Sequence, residues 1–141
     1  MADLDHRAAG GRRLKDKICI VTGAGQGIGR AAAKRLGAEG GTIVVADRVD
    51  EGATQTMAEL NEHGVAALKV LVDLSTLTGA KDLMSKAMAA YGRIDVLVNN
   101  VGGTIWIKPF HLYTEEETVM ELERSLYPTL WGCLAVLPIM M

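Results

Sequence analysis

The chain has 141 residues, of which 49% are hydrophobic and 23% charged, with a formal net charge of −2. That length suits one domain with a substantial core, and the composition is that of a soluble globular protein. The near-neutral charge excludes a strong electrostatic footprint for nucleic acid or an anionic membrane.

Met1 to Arg13 is polar and basic without an apolar core segment, so it reads as a loose or disordered lead and not as a signal peptide, leaving 14–141 as the folded domain. Beyond it, short β-branched runs alternate with longer stretches of helical period, which predicts repeated βαβ units and a parallel sheet. The first strand is expected at about Lys17 to Val21. It leads into Thr22-Gly23-Ala24-Gly25-Gln26-Gly27-Ile28-Gly29, which opens an alanine-rich helix at about Gly27 to Glu39. A glycine turn between strand and helix lets the backbone approach phosphates, and free N–H groups at the helix start form an anion site.

The second strand, about Thr42 to Ala46, ends at Asp47, 18 residues after Gly29, where a ribose-binding carboxylate belongs. Strand, turn, helix and acid in this order predict a dinucleotide site, with a purely structural turn as the alternative. Asp47 would accept from an adenosine 2′-hydroxyl and repel a 2′-phosphate, which favours NAD over NADP. Arg48 argues the other way, since an arginine there could stack on adenine or attract a phosphate.

A second helix follows at about Asp50 to Glu62, then a strand at about Ala66 to Val72 that ends in Asp73-Leu74. Asp73 could accept from an adenine amino group or cap the helix expected at about Thr78 to Tyr91. The fourth strand, about Ile94 to Val98, runs into Asn99-Asn100-Val101-Gly102-Gly103, a cluster that could line a cofactor or simply turn the chain. A last helix is expected over about Thr114 to Met140, opened by a Thr114/Glu117 capping box, with Glu115 and Glu116 in a solvated first turn. Gly40-Gly41, Gly64 and Gly92 fall just past the first three helices, where left-handed geometry is wanted. The longest apolar stretch, around Leu130 to Met141, is interrupted by Gly132 and Pro138 and is too short to span a bilayer.

Right-handed crossovers order the first three strands 3-2-1 and put the switch point between strands 1 and 4. The carboxyl ends then present Gly23, Asp47, Asp73 and Asn99 along one crevice. Cys19 and Cys133, flanked by apolar residues, read as buried thiols of a reducing cytosol. His6, His63 and His111 lie far apart without metal-ligand spacing, so no metal is assigned.

Thr22 to Gly29 in a Thr-Gly-x-x-x-Gly-x-Gly pattern, Asp47, Asp73 and the Asn-Asn-x-Gly run at Asn99 to Gly102 together resemble the short-chain dehydrogenase/reductase family, from about Lys15 to the last residue. The resemblance implies a doubly wound parallel α/β sheet of the Rossmann type, truncated after about four strands, with NAD as cofactor. It sets Gly23, Gly25, Gln26, Gly27, Ile28, Gly29, Asp47, Arg48, Asp73, Leu74, Asn99, Asn100, Val101 and Gly102 about the cofactor. Asn99 to Trp106, Lys108-Pro109-Phe110 and Arg124 to Trp131 resemble more closely the branch of the family that oxidises a cyclic cis-diol acid in aromatic breakdown. That implies a small-molecule cyclic diol acid as substrate and a homo-oligomer in the full-length form. Thr104, Trp106 and Lys108 are candidates to meet its ring and carboxylate, the alternative for Lys108 being a solvated side chain beside a core tryptophan.

The family's acid-base centre, a serine and a Tyr-x-x-x-Lys pair, has no counterpart here. Tyr91, Tyr113 and Tyr127 are followed four residues later by Asp95, Glu117 and Trp131. Ser125 aligns with a family asparagine and could either serve catalysis or pack beside a kink made by Pro128. The expectation is therefore the cofactor-binding half of an NAD-dependent dehydrogenase, inactive alone. A non-catalytic NAD-binding or interaction module from a truncated gene is the alternative.

Overall fold

In the computed structural model, which describes residues 12–141, Ile18–Thr22 forms β1 and every one of its residues is buried. Burial on both faces is the condition of a central parallel strand, and it explains why this run is continuously apolar instead of alternating. Four helices and three more strands complete the pattern in chain order: α1 (Gly27–Ala38), β2 (Thr42–Asp47), α2 (Asp50–Glu62), β3 (Ala67–Leu71), α3 (Leu77–Tyr91), β4 (Val96–Val98) and α4 (Glu115–Ser125). A short 3-10 turn at Phe110–Leu112 precedes α4, and α5 (Tyr127–Met140) follows it.

The sheet is parallel with order β3-β2-β1-β4, as the crossover argument predicts. Successive side chains of a strand point to opposite faces, so β1 and β2 feed two cores. Ile18, Ile20, Val44 and Ala46 join Leu83, Met84 and Ala87 of α3 and Val136 of α5. Cys19, Val21, Ile43 and Val45 join Ala33 of α1 and Ala53 and Leu60 of α2 on the other side. All four carboxyl ends therefore open on one edge.

Two expectations need correction. The long last helix divides at Leu126, because Pro128 has no N–H to return to the Arg124 carbonyl, and it sits instead in the first turn of α5, where no such donor is required. Cys133 is half-buried, with its sulfur 3.5 Å from Asn99 Nδ2, whereas Cys19 is fully buried and its thiol pKa is raised by that burial. The capping box of Thr114 and Glu117 is formed, and Gly40, Gly64 and Gly92 carry positive φ; Gly41 does not. The expected loose lead through residue 11, with His6, lies outside the described residues. Arg13, at its end, pairs with Glu39 at 2.7 Å.

Candidate cofactor crevice

The turn after β1 folds tightly because its buried glycines leave no room for a side chain. A Cβ on Gly29 would stand 2.1 Å from the Gly23 carbonyl oxygen, and one on Gly25 would stand 2.7 Å from Asp47 Oδ2. The first is a backbone atom that cannot swing aside, and beside the second lies the Ala53 backbone nitrogen at 3.1 Å. Gln26, Gly27 and Ile28 consequently crest the turn, exposed, at the start of α1. Gln26 is the N-cap residue and makes no capping bond with its side chain, and no acid occupies the first turn. The positive end of the helix dipole thus faces the crevice with neither a side-chain cap nor an acid in the helix's own first turn.

Asp47 closes β2 directly beside this turn. Its Oδ2 accepts the Gly25 N–H at 2.8 Å and its Oδ1 accepts the Val49 N–H at 3.0 Å. Each carboxylate oxygen keeps a further lone pair for a ligand hydroxyl. At the next strand end, Asp73 accepts from the Ser75 N–H at 2.9 Å, and this bond, with the Ser75 hydroxyl and the nearby Arg48 charge, holds its pKa below the ordinary carboxylate range. The cap of α3 is Thr76, which accepts from the Gly79 N–H, so Asp73 is not the helix cap. Leu74 is buried beside it and Ser75 accepts from the Trp131 indole N–H at 3.2 Å.

Thr22 and Asn100 join β1 to the end of β4. The Asn100 and Val101 N–H groups donate to Thr22 Oγ1 at 2.8 and 3.2 Å, while Asn100 Nδ2 donates to the Thr22 and Gly23 carbonyls at 3.1 and 3.3 Å. Asn99 points elsewhere, toward Cys133 and against Gly132, where a Cβ would lie 2.4 Å from its Oδ1.

Together these elements border a crevice of about 740 Å³ lined by Gly23, Gln26, Gly27, Ile28, Asp47, Arg48, Asp73, Leu74, Asn100, Val101 and Gly102 among the expected residues. Its volume is that of an ordinary small-molecule site. Gly25 and Gly29 lie beneath the turn and support it, and Asn99 braces α5. Val49, Val72, Ser75, Met120, Glu123, Arg124 and Pro128 line it beyond the expected residues, as does Ile105 from the Thr104 to Trp106 segment. The first three adjoin the expected acids, and Met120, Glu123 and Arg124 carry no local signal beyond helical period.

The segment expected to form the substrate wall is tied to α4 by its own polar groups. Lys108 Nζ binds both Glu117 oxygens, at 2.7 and 2.6 Å, and lies 5.0 Å from the Tyr113 ring centre. Thr104 and the Ile105 and Trp106 N–H groups all donate to Glu121 Oε1, at 2.9, 2.8 and 3.0 Å. The Trp106 and Ile105 N–H groups lead in lowering the Glu121 pKa, and Lys108 leads in lowering that of Glu117. Of this segment only Ile105 reaches the crevice; Thr104, Trp106 and Lys108 do not line it. Ser125 donates to the Gly103 carbonyl at 2.7 Å, tying the end of α4 to the loop after β4.

Residues 17–141 match the short chain dehydrogenase family. The chain is 52% identical over 130 residues to the 1,6-dihydroxycyclohexa-2,4-diene-1-carboxylate dehydrogenase of Acinetobacter baylyi, covering 92% of this chain and 49% of that one. It is 43% identical over 129 residues to the enzyme of the same name from Pseudomonas putida, covering 89% and 46%. The crystal structure of hydroxysteroid dehydrogenase from Escherichia coli superimposes with a TM-score of 0.84 at 29% identity, covering 92% of this chain and 54% of that one. The chain thus spans about half the length of the curated relatives it matches.

Proposed function

This chain belongs to the short chain dehydrogenase family, and from that membership we propose that it carries the dinucleotide-binding half of an NAD-dependent oxidoreductase acting on 1,6-dihydroxycyclohexa-2,4-diene-1-carboxylate. The observation that carries the cofactor reading is the placement of Asp47, whose carboxylate is held by the Gly25 and Val49 N–H groups at the rim of the crevice. Held there, it accepts from vicinal ribose hydroxyls and repels a 2′-phosphate. Of the crevice lining, Gln26, Gly27 and Ile28 would present the start of α1 to the diphosphate, Asp73 and Leu74 would border the adenine, and Asn100, Val101 and Gly102 would form the floor.

NAD held by these residues would supply the hydride acceptor for oxidation of the secondary carbinol carbon of the diol acid. The product is a β-keto acid, which loses carbon dioxide and enolises to a catechol without further protein chemistry. The substrate reading rests on the 52% identity to the Acinetobacter baylyi dehydrogenase.

The carbinol proton needs a base, and none of the tyrosines here is followed by a lysine at the spacing the family uses. Tyr113 donates to the Trp106 carbonyl at 2.7 Å, and Tyr127 packs on Trp131 with ring centres 5.6 Å apart. In this reading the three tyrosines are structural and the 141 residues bind cofactor without oxidising the diol. The segment after β4 and the apolar faces of α4 and α5 are then surfaces that a homo-oligomeric full-length enzyme would cover, in the cytoplasm.

Calorimetric titration with NADH and NADPH tests the cofactor assignment, and tighter binding of NADPH would overturn it. Steady NADH production from the diol acid by the 141-residue chain would overturn the division of labour.

A further inference from the structure

Arg30, in the first turn of α1, stands behind the glycine turn and not in the crevice. Its guanidinium donates to the Gly25 carbonyl, to Thr56 Oγ1 at 3.0 Å, to Gln55 Oε1 at 3.1 Å and to Glu59 Oε1 at 3.3 Å. Thr56, Gln55 and Glu59 all belong to α2, so one side chain joins three elements of the fold.

Two successive peptide groups of the turn are fixed as a result. In the first, the Gly25 N–H meets Asp47 Oδ2 at 2.8 Å while the Ala24 carbonyl accepts from Thr56 Oγ1 at 2.8 Å. In the second, the Gly25 carbonyl is taken by Arg30. The N–H and C=O of a trans peptide point in opposite directions, and the described residues contain no cis peptide. Drawing the Gly25 carbonyl toward α2 therefore turns the Gln26 N–H away from α2, toward the crevice that Gln26 lines.

We propose that Arg30 is a positioning residue that aims the Gln26 N–H at the diphosphate of the bound dinucleotide. This rests on the dinucleotide reading above and adds to it the part that sets the donor's direction. The guanidinium fork is required. A lysine at position 30 keeps the charge but is a point donor that cannot reach Gly25, Thr56 and Glu59 together.

The test titrates NADH, and separately adenosine, which has no diphosphate, into the 141-residue chain and its Arg30→Lys and Arg30→Ala variants. Thermal melting and the NMR resonance of the Gln26 amide are followed alongside. Both variants are expected to bind NADH about tenfold more weakly, the loss for one misdirected hydrogen bond to a charged acceptor. Adenosine affinity stays unchanged and the Gln26 amide resonance moves. Should Arg30→Ala not fold, Arg30→Lys carries the comparison, since it retains the charge that faces Glu59. Unaltered NADH binding by Arg30→Lys would overturn the proposal, as would equal losses for NADH and adenosine. Failure of the unaltered chain to bind NADH would overturn the dinucleotide reading together with this one, whereas bound NADH indifferent to Arg30→Lys overturns this one alone.

Discussion

The Gly25 N–H and the Asp47 carboxylate meet at 2.8 Å, which makes the turn after β1 and the acid ending β2 one unit. An expected ribose acceptor is thereby also a brace for the expected phosphate loop. Replacing Asp47 by alanine should weaken NADH binding by about 1 to 3 kcal/mol, the scale for losing hydrogen bonds to a charged acceptor. Because the brace is lost as well, the melting temperature should fall, and calorimetry with thermal melting separates the two effects when Asp47→Asn is run beside it.

Gly29→Ala should be more damaging than its single added methyl suggests. The new Cβ would stand 2.1 Å from the Gly23 carbonyl, a backbone atom. Overpacking of this kind costs about 1 to 3 kcal/mol or more, and relief can come only by opening the turn. Reduced thermal stability together with lost NADH binding is the expected outcome, and a variant that still binds NADH normally would show that α1 can shift without disturbing the site.

Acid should loosen the start of the sheet. Asp95 accepts from the Arg93 guanidinium and from the Ile18 N–H at 2.9 Å, which holds its carboxyl at about 2, and Arg13 leads in holding Glu39 at about 2. Both values lie below the ordinary carboxylate range, so the ionised forms favour the fold. Their contribution is complete above that range and is lost as pH falls toward 2. Melting curves of the chain and of Asp95→Asn, taken between about pH 6 and about pH 2, should converge at the acid end. Parallel curves would show that this carboxylate does not contribute to the acid sensitivity.

Lys108→Met should leave dinucleotide affinity unchanged, because the ammonium is bound by Glu117 and does not line the crevice. The variant strands a carboxylate that also closes the capping box of α4. Faster amide exchange at the start of α4 is therefore expected, and hydrogen exchange by mass spectrometry reads it. A weaker NADH complex would place Lys108 in the site after all.

The chain should self-associate at micromolar concentration. Leu130, Leu134 and Leu137 on α5 are 46%, 56% and 52% exposed, and among the described residues β4 pairs within the sheet only with β1. An apolar helix face beside an open strand edge favours association. Sedimentation tests this, and a monomer at all concentrations would show these surfaces to be tolerated in water.

Much of this arrangement was legible because its causes are local. Ile18 to Val21 and Ile43 to Ala46 announce buried parallel strands by unbroken apolar runs, and chirality alone then orders them. The break at Leu126 was concealed by the apolar pattern that continues from Leu126 to Leu137, although Pro128 carried the cause. The pairing of Lys108 with Glu117 depends on how the turn at Phe110–Leu112 folds back, which no period encodes. Arg30 finds its partners 25 to 29 residues away on α2, at a distance where sequence order gives no guide to contact.

The Trp131 indole donates at 3.2 Å to the Ser75 carbonyl, and Ser75 is on the crevice rim. The molecule accordingly carries its own optical probe. Trp131 and Trp106 are its two tryptophans, and Trp106 sits outside the crevice with its backbone N–H held by Glu121. A ligand that presses on Ser75 must alter the polarity and hydrogen bonding of one indole while leaving the other as a built-in reference. Emission from Trp131, isolated by Trp106→Phe, would follow occupancy of the crevice at its Asp73 and Ser75 end without any label.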